Sequence, residues 1–191
     1  MSNKEDLRVR RTKQALFNAF VSLVTEKPID EITINQLCEK AEIRRATFYK
    51  HYTDKYDFIT AYTVHLRENF DKTLKKSGKQ NLTKDYYVAY AKRIVSFISE
   101  NEAAIDNIYR SNLFPTIMYT IVEQNYKDTC ERLKVSVEEG MKLNASVEIV
   151  ASMCAAGVGA TICHWIAGGK KISADDLAEQ IGNVVASALG Q

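Results

Sequence analysis

The sequence predicts an all-α fold, with about nine helices arranged as a small N-terminal head and a larger C-terminal body. Three observations point there. Only 8 Gly and 2 Pro occur in 191 residues, roughly 5% where about 12% is usual. A sheet protein needs a turn every 8–12 residues or so, and turns draw on both residue types; a sandwich or barrel is therefore excluded. Apolar residues recur instead at helical spacing, as in Leu16, Ala19, Phe20 and Leu23. Helix-start signals also stand ahead of these runs, at Thr33 with Gln36, Asp54 with Asp57, and Ser173 with Asp176. Hydrophobic content is 46% with no low-complexity run, which rules out a collagen-like, Pro-rich or disordered chain.

The elements follow in order. A first helix is expected over 7–26, stopped by Pro28. A short second helix over 33–41 buries Ile34, Leu37, Cys38 and Ala41. A three-residue break at Glu42, Ile43 and Arg44 leads to a third short helix over 45–52. A fourth runs over 54–76, until Ser77-Gly78-Lys79-Gln80 interrupts the pattern. Further helices are expected at 83–99, 102–110, 115–138, 146–167 and 173–189, with Gly168-Gly169 ending the eighth. The expected division is a head at 1–53 and a regulatory and dimerisation body at 54–191.

Charge divides the same way. Residues 1–55 hold 11 Lys+Arg against 8 Asp+Glu, while residues 56–191 hold 15 against 16. The net +2 is thus a basic head on a slightly acidic body, and clustered cations at one end suit a polyanion. Cys38, Cys130, Cys154 and Cys163 show neither CxxC nor zinc-ligand spacing, so they read as small apolar residues in a reducing cytoplasm. The stretch MSNKEDLRVRRTKQ lacks the apolar core of a signal peptide. Residues 149–167 include 19 positions without a charged side chain. They are rich in Ala, Gly, Ser and Cys, which favours a buried core or oligomer interface over a membrane span. Neither a phosphate loop nor a catalytic or metal-binding motif occurs, and Cys163 beside His164 makes a poor dyad because helix neighbours diverge. No enzyme, cofactor or metal site is expected.

Two short helices joined by a tight turn and flanked by longer ones form a helix-turn-helix, whose second helix can enter a DNA major groove. Ala46 and Phe48 are available for packing, with Tyr52 closing the helix; Arg44, Arg45, Thr47, Tyr49, Lys50 and His51 remain for DNA. The run ITINQLCEKAEIRRATFYKHYTDKYDFI at 32–59 resembles the DNA-binding signature of the TetR family of bacterial transcription regulators. The Ala-Thr-Phe-Tyr-Lys-His-Tyr segment followed by Asp54-Lys55 is its most specific part. The tail CHWIAGGKKISADDLAEQI resembles the end of one TetR subgroup, more weakly. Two departures stand out. Glu42 replaces a usual Gly at a position favouring positive φ, at a cost of roughly 1 kcal/mol, and Arg44 replaces a usual N-capping Ser.

The resemblance implies phosphate contacts for Thr33, Thr47, Tyr49, His51 and Lys55. Arg44 and Arg45 suit base readout, since arginine grips guanine O6 and N7 with two hydrogen bonds. Lys50 suits either role, and Arg8, Arg10 and Arg11 are expected on an N-terminal arm beside the DNA. One recognition helix reads few bases, so a homodimer on a palindromic operator is expected; helices 146–167 and 173–189 are the candidate interface, which the resemblance implies is a four-helix bundle. The family resemblance further implies release by a small-molecule effector. Tyr90, Phe97, Tyr119, His164 and Trp165 are the aromatic candidates for its pocket. A TetR-like activator or co-activator governed by a protein partner remains the alternative, and a helical scaffold that no longer binds DNA is a third reading.

Overall fold

A computed structural model describes residues 2–76 and 83–190, and all regular structure among them is helical. Among these described residues the α-helices are α1 (Ser2–Glu26), α2 (Ile34–Lys40), α3 (Arg45–Phe48), α4 (Lys55–Lys76), α5 (Lys84–Glu100), α6 (Glu102–Tyr109), α7 (Phe114–Glu138), α8 (Val147–Ala167) and α9 (Ala174–Ala188). A 3-10 turn at Ile29–Glu31, absent from the sequence expectation, follows Pro28. The expected break at Ser77-Gly78-Lys79-Gln80 lies outside the described residues.

The anticipated caps form. Thr33 accepts the Gln36 amide hydrogen at 3.2 Å while the Gln36 side chain accepts from Thr33 N at 3.0 Å. Asp54 Oδ1 accepts from Asp57 N at 2.9 Å, and Asp57 Oδ2 accepts from Thr53 N at 2.9 Å. Ser146 and Ser173 cap α8 and α9 in the same manner. Two boundaries differ. Helix α1 begins at Ser2, and α3 ends at Phe48, four residues short of the expectation. Beyond Phe48 the chain tightens, with Lys50 N donating to Thr47 O and His51 N to Phe48 O, a 3-10 pattern common at helix ends.

The chain divides into two compact units. The first comprises Met1–Thr63 and Asn101–Ile117, so it extends past the 1–53 anticipated for the head. Its core joins Leu16, Phe20, Leu37, Phe48 and Phe58 to Ala104 and Leu113 from far along the chain. Two hydrogen bonds fasten that distant segment: Asn107 Nδ2 donates to Val24 O at 2.8 Å, and Asn112 N to Asp30 Oδ2 at 3.0 Å. The first satisfies a carbonyl in the last turn of α1, which lacks an intrahelical partner. Counting only contiguous chain misses this because α6 supplies apolar side chains that the head core needs.

The second unit comprises Val64–Glu100 and Met118–Gln191. Here α9 packs along α5 and α8, around Ala91, Val95, Leu133, Ala151, Ala178 and Leu189. Gly182 permits the approach of α9 to α5: a Cβ there would overlap Val88 Cγ2 and stand 3.3 Å from Lys84 O. After α8 the backbone reverses through Gly169 and Lys170, at φ 77° and 55°, and Trp165 Nε1 donates to Ile172 O at 2.9 Å. A polar cluster also lies within this unit. Arg67 and Arg132 both pair with Asp128, at 2.8 and 2.9 Å, and Asn125 Oδ1 accepts from Arg67 Nε and the Tyr90 hydroxyl. The four cysteines are free, and all but Cys163 are buried. Burial raises the thiol pKa of Cys38, Cys154 and Cys163, which favours the protonated thiol over the thiolate.

Candidate nucleic-acid interface

The turn between α2 and α3 is closed by two hydrogen bonds, Ile43 N to Cys38 O at 2.9 Å and Glu42 N to Glu39 O at 3.1 Å. With Glu42 at φ 55°, this is a Schellman closure carrying Glu where Gly is favoured. The turn therefore forms despite the missing glycine. Arg44 then starts α3 from an extended backbone, with no side-chain cap.

Phe48 orients α3. Its ring is fully buried and meets Tyr52 and Phe58 at centroid separations of 5.5 and 5.9 Å. With that residue pointing inward, Arg44, Arg45, Tyr49 and Lys50 are exposed and Thr47 is half-buried. Ala46, expected to pack, is exposed as well; its neighbour Phe48 alone supplies the inward anchor of a helix only one turn long. Tyr52 is buried, and burial pushes its pKa up to about 12. Half-buried His51 has its pKa lowered, by burial first and then by the charges of Lys13 and Lys50.

Lys55, at the start of α4, is half-buried and donates from Nζ to Ile29 O at 3.2 Å and Asp30 O at 3.1 Å. It straps α4 to the 3-10 turn, and an ammonium has a third proton for a further acceptor. Arg8, Arg10 and Arg11, expected on an N-terminal arm, are exposed and lie within helix α1. Lys13 belongs with this group through its influence on His51. Its signal in the sequence is the basic run from Arg8 to Lys13, which concentrates the positive excess of the head.

The aromatic candidates of the body do not gather into one set. Tyr90 is buried, its hydroxyl bonded to Asn125 at 2.9 Å, and half-buried Phe97 meets Phe70 edge-on at 5.3 Å. Trp165 is buried and closes the turn after α8. Tyr119 is 67% exposed on α7, and His164 lies on the exposed stripe of α8 that includes Met153, Gly157 and Ala160.

A small basic helix held on an aromatic anchor, after a tight turn and a boxed helix, has the form of a DNA-recognition unit. The model of a transcriptional regulator C-terminal region, TetR_C_8, matches residues 88–187, more than half the chain. The chain belongs to the TetR family of transcription regulators, as DNA-binding proteins of all-α fold. Over 55 residues it is 46% identical to the HTH-type transcriptional regulator YxbF of Bacillus subtilis (strain 168), a match covering 28% of this chain and 14% of that protein. In fold it is similar to a TetR-family regulator from Syntrophomonas wolfei, with TM-score 0.67, 14% identity and coverage of 95% and 96% of the two chains. It is also similar to FadR from Bacillus subtilis, solved with stearoyl-CoA, with TM-score 0.66, 15% identity and coverage of 92% and 98%. AlkX from Dietzia sp. gives TM-score 0.61 at 18% identity, over 93% and 95% of the chains.

Proposed function

We propose that this regulator is a cytoplasmic homodimeric repressor that binds a palindromic operator and leaves it when a small molecule binds the body. The observation that carries the reading is the outward set on α3, where Phe48 faces the core while Arg44, Arg45, Tyr49 and Lys50 face solvent. Arg44 and Arg45 read base edges; Thr33, Thr47, Tyr49, His51 and Lys55 hold phosphates, with Lys50, Arg8 and Arg11 adding contacts to either. Phosphate contacts set register, and base contacts carry sequence.

Support for the dimer comes from α8 and α9. Helix α8 is long and apolar enough to cross a membrane, yet less than half of it is buried within the chain. Ile149 and Met153 on α8 are 55% and 69% exposed, and Val184 on α9 is 71% exposed. A second copy covering this stripe satisfies it in water, and two helices from each copy make a four-helix bundle. Two recognition helices related by a two-fold axis then read a palindrome.

The effector would enter the interior of the second unit, where the Tyr90 hydroxyl donates to Asn125 beside the Arg67–Asp128 pair. Helix α4 contributes residues to both units, so its tilt couples effector binding to the spacing of the recognition helices. An effector acts only through its differential affinity for the two spacings. Selection of bound duplexes from a random pool tests the reading: a two-fold symmetric site is expected, bound by a species of twice the chain mass. Binding of stearoyl-CoA, the molecule held by the FadR relative, is measured as a first effector probe by its effect on operator affinity. Absence of duplex binding at low salt overturns the DNA-binding reading, and expression that rises with the protein overturns repression in favour of activation.

A further inference from the structure

We propose that Tyr49 is a positioning residue for Arg45, holding its guanidinium ready to read a guanine edge. This rests on the DNA-binding reading above and adds a specificity role that a phosphate contact by Tyr49 does not supply.

Arg45 opens α3 and Tyr49 follows one helical turn later, so the two side chains lie on one face. Arg45 Nη2 donates to the Tyr49 hydroxyl oxygen at 3.2 Å, and the guanidinium carbon lies 5.7 Å from the ring centroid. One phenol thus holds the cation in two ways, by a hydrogen bond at its rim and by attraction to its ring. The phenol is itself supported, since its ring meets Phe48 edge-on at 5.5 Å and Phe48 is fully buried. An exposed arginine is therefore tied through a single aromatic neighbour to the rigid core. Bidentate contact with guanine requires the guanidinium plane in one orientation. A side chain already held there loses less freedom on binding than one sampling many rotamers. The Tyr49 hydroxyl accepts from Arg45 and keeps its own proton to donate elsewhere, so the positioning role and a phosphate contact are compatible.

The two roles leave different signatures. Losing a phosphate contact weakens binding to every sequence alike, whereas losing a positioning contact weakens preference at the one base pair that Arg45 reads. Duplexes selected by the wild-type protein serve as probes, together with versions carrying each other base at every position. Arg45→Ala is expected to abolish a guanine preference at one position of each half-site. Tyr49→Phe, which keeps the ring and removes the hydroxyl, is expected to reduce that same preference about three- to tenfold, with the remaining positions unchanged. In the Arg45→Ala background, Tyr49→Phe is expected to have no further effect on it. A Tyr49→Phe protein that loses affinity uniformly with its guanine preference intact overturns the proposal while leaving DNA binding standing. Wild-type protein that binds no duplex at low salt removes the DNA-binding reading and this proposal with it. Because Tyr49 is 47% exposed, the Phe variant keeps the fold, and matched thermal unfolding curves verify this.

Discussion

At the scale of single residues, Glu42 shows how an unfavourable choice is tolerated. Its φ of 55° is one that a Cβ resists, yet the Ile43–Cys38 and Glu42–Glu39 backbone bonds close the turn around it. Glu42→Gly is expected to stabilise the protein by about 1 kcal/mol, seen as a rise of roughly 2–4 °C in thermal midpoint. An unchanged or lower midpoint would show that the turn carries no strain. His51 offers a pH test. Burial and the charges of Lys13 and Lys50 hold its imidazole below the ordinary range, so it is neutral in the free protein at neutral pH. A phosphate beside the ring favours the cation and raises the pKa on binding. The complex then binds its proton at higher pH than the free protein does, so operator affinity rises as pH falls towards the depressed value. The sign for folding is opposite: with the folded pKa depressed, stability falls as pH drops from the ordinary histidine value of about 6.5 towards the depressed one. Binding isotherms from about pH 7.5 to about pH 5.5 are expected to show the rise, and His51→Gln to flatten it.

At the scale of elements, the pairing of α5 with α9 depends on shape more than charge. Two ion pairs cross it, Lys84–Glu179 at 2.6 Å and Lys92–Asp175 at 2.8 Å. All four side chains are well exposed, and exposed pairs contribute about 0–1 kcal/mol. Gly182 matters more, because any side chain there meets Val88. Gly182→Ala is expected to destabilise the protein by about 1–3 kcal/mol through overpacking. Denaturant unfolding measures it, and Val88→Ala in the same chain is expected to recover part of the loss. The same reasoning explains why α3 functions at four residues: its position is set by Phe48 in the core and by the turn before it, so intrinsic helix stability is not required of so short a segment.

At the scale of the whole molecule, the proposed dimer would cover the exposed apolar side chains of α8 and α9, among them Ile149, Met153 and Val184. Introducing charge at the two most exposed of these, as Met153→Glu with Val184→Glu, is expected to halve the molecular mass in sedimentation. Operator affinity should fall by at least tenfold, since one recognition helix then binds without its two-fold mate. The double variant remaining a dimer would place the interface elsewhere. The charge distribution belongs to this scale too. The basic excess lies in residues 1–55, so affinity should fall steeply with salt, as release of phosphate counterions requires.

Local signals in the sequence determined most of the elements and part of the interface. Thr33 with Gln36, Asp54 with Asp57 and Ser173 announced helix starts because a cap is satisfied within four residues of itself. Phe48 among polar neighbours marked the inward side of α3 for the same reason of short range. Tertiary structure alone decided what depends on distant chain. It placed α6 with the head through Ala104, Asn107 and Asn112, strapped Lys55 to the carbonyls of Ile29 and Asp30, and left Tyr119 and His164 at the surface while burying Tyr90 and Trp165. An aromatic at helical spacing has the same local signature in each of these settings. Which neighbour it meets is set by packing between elements tens of residues apart, and no local pattern encodes that choice.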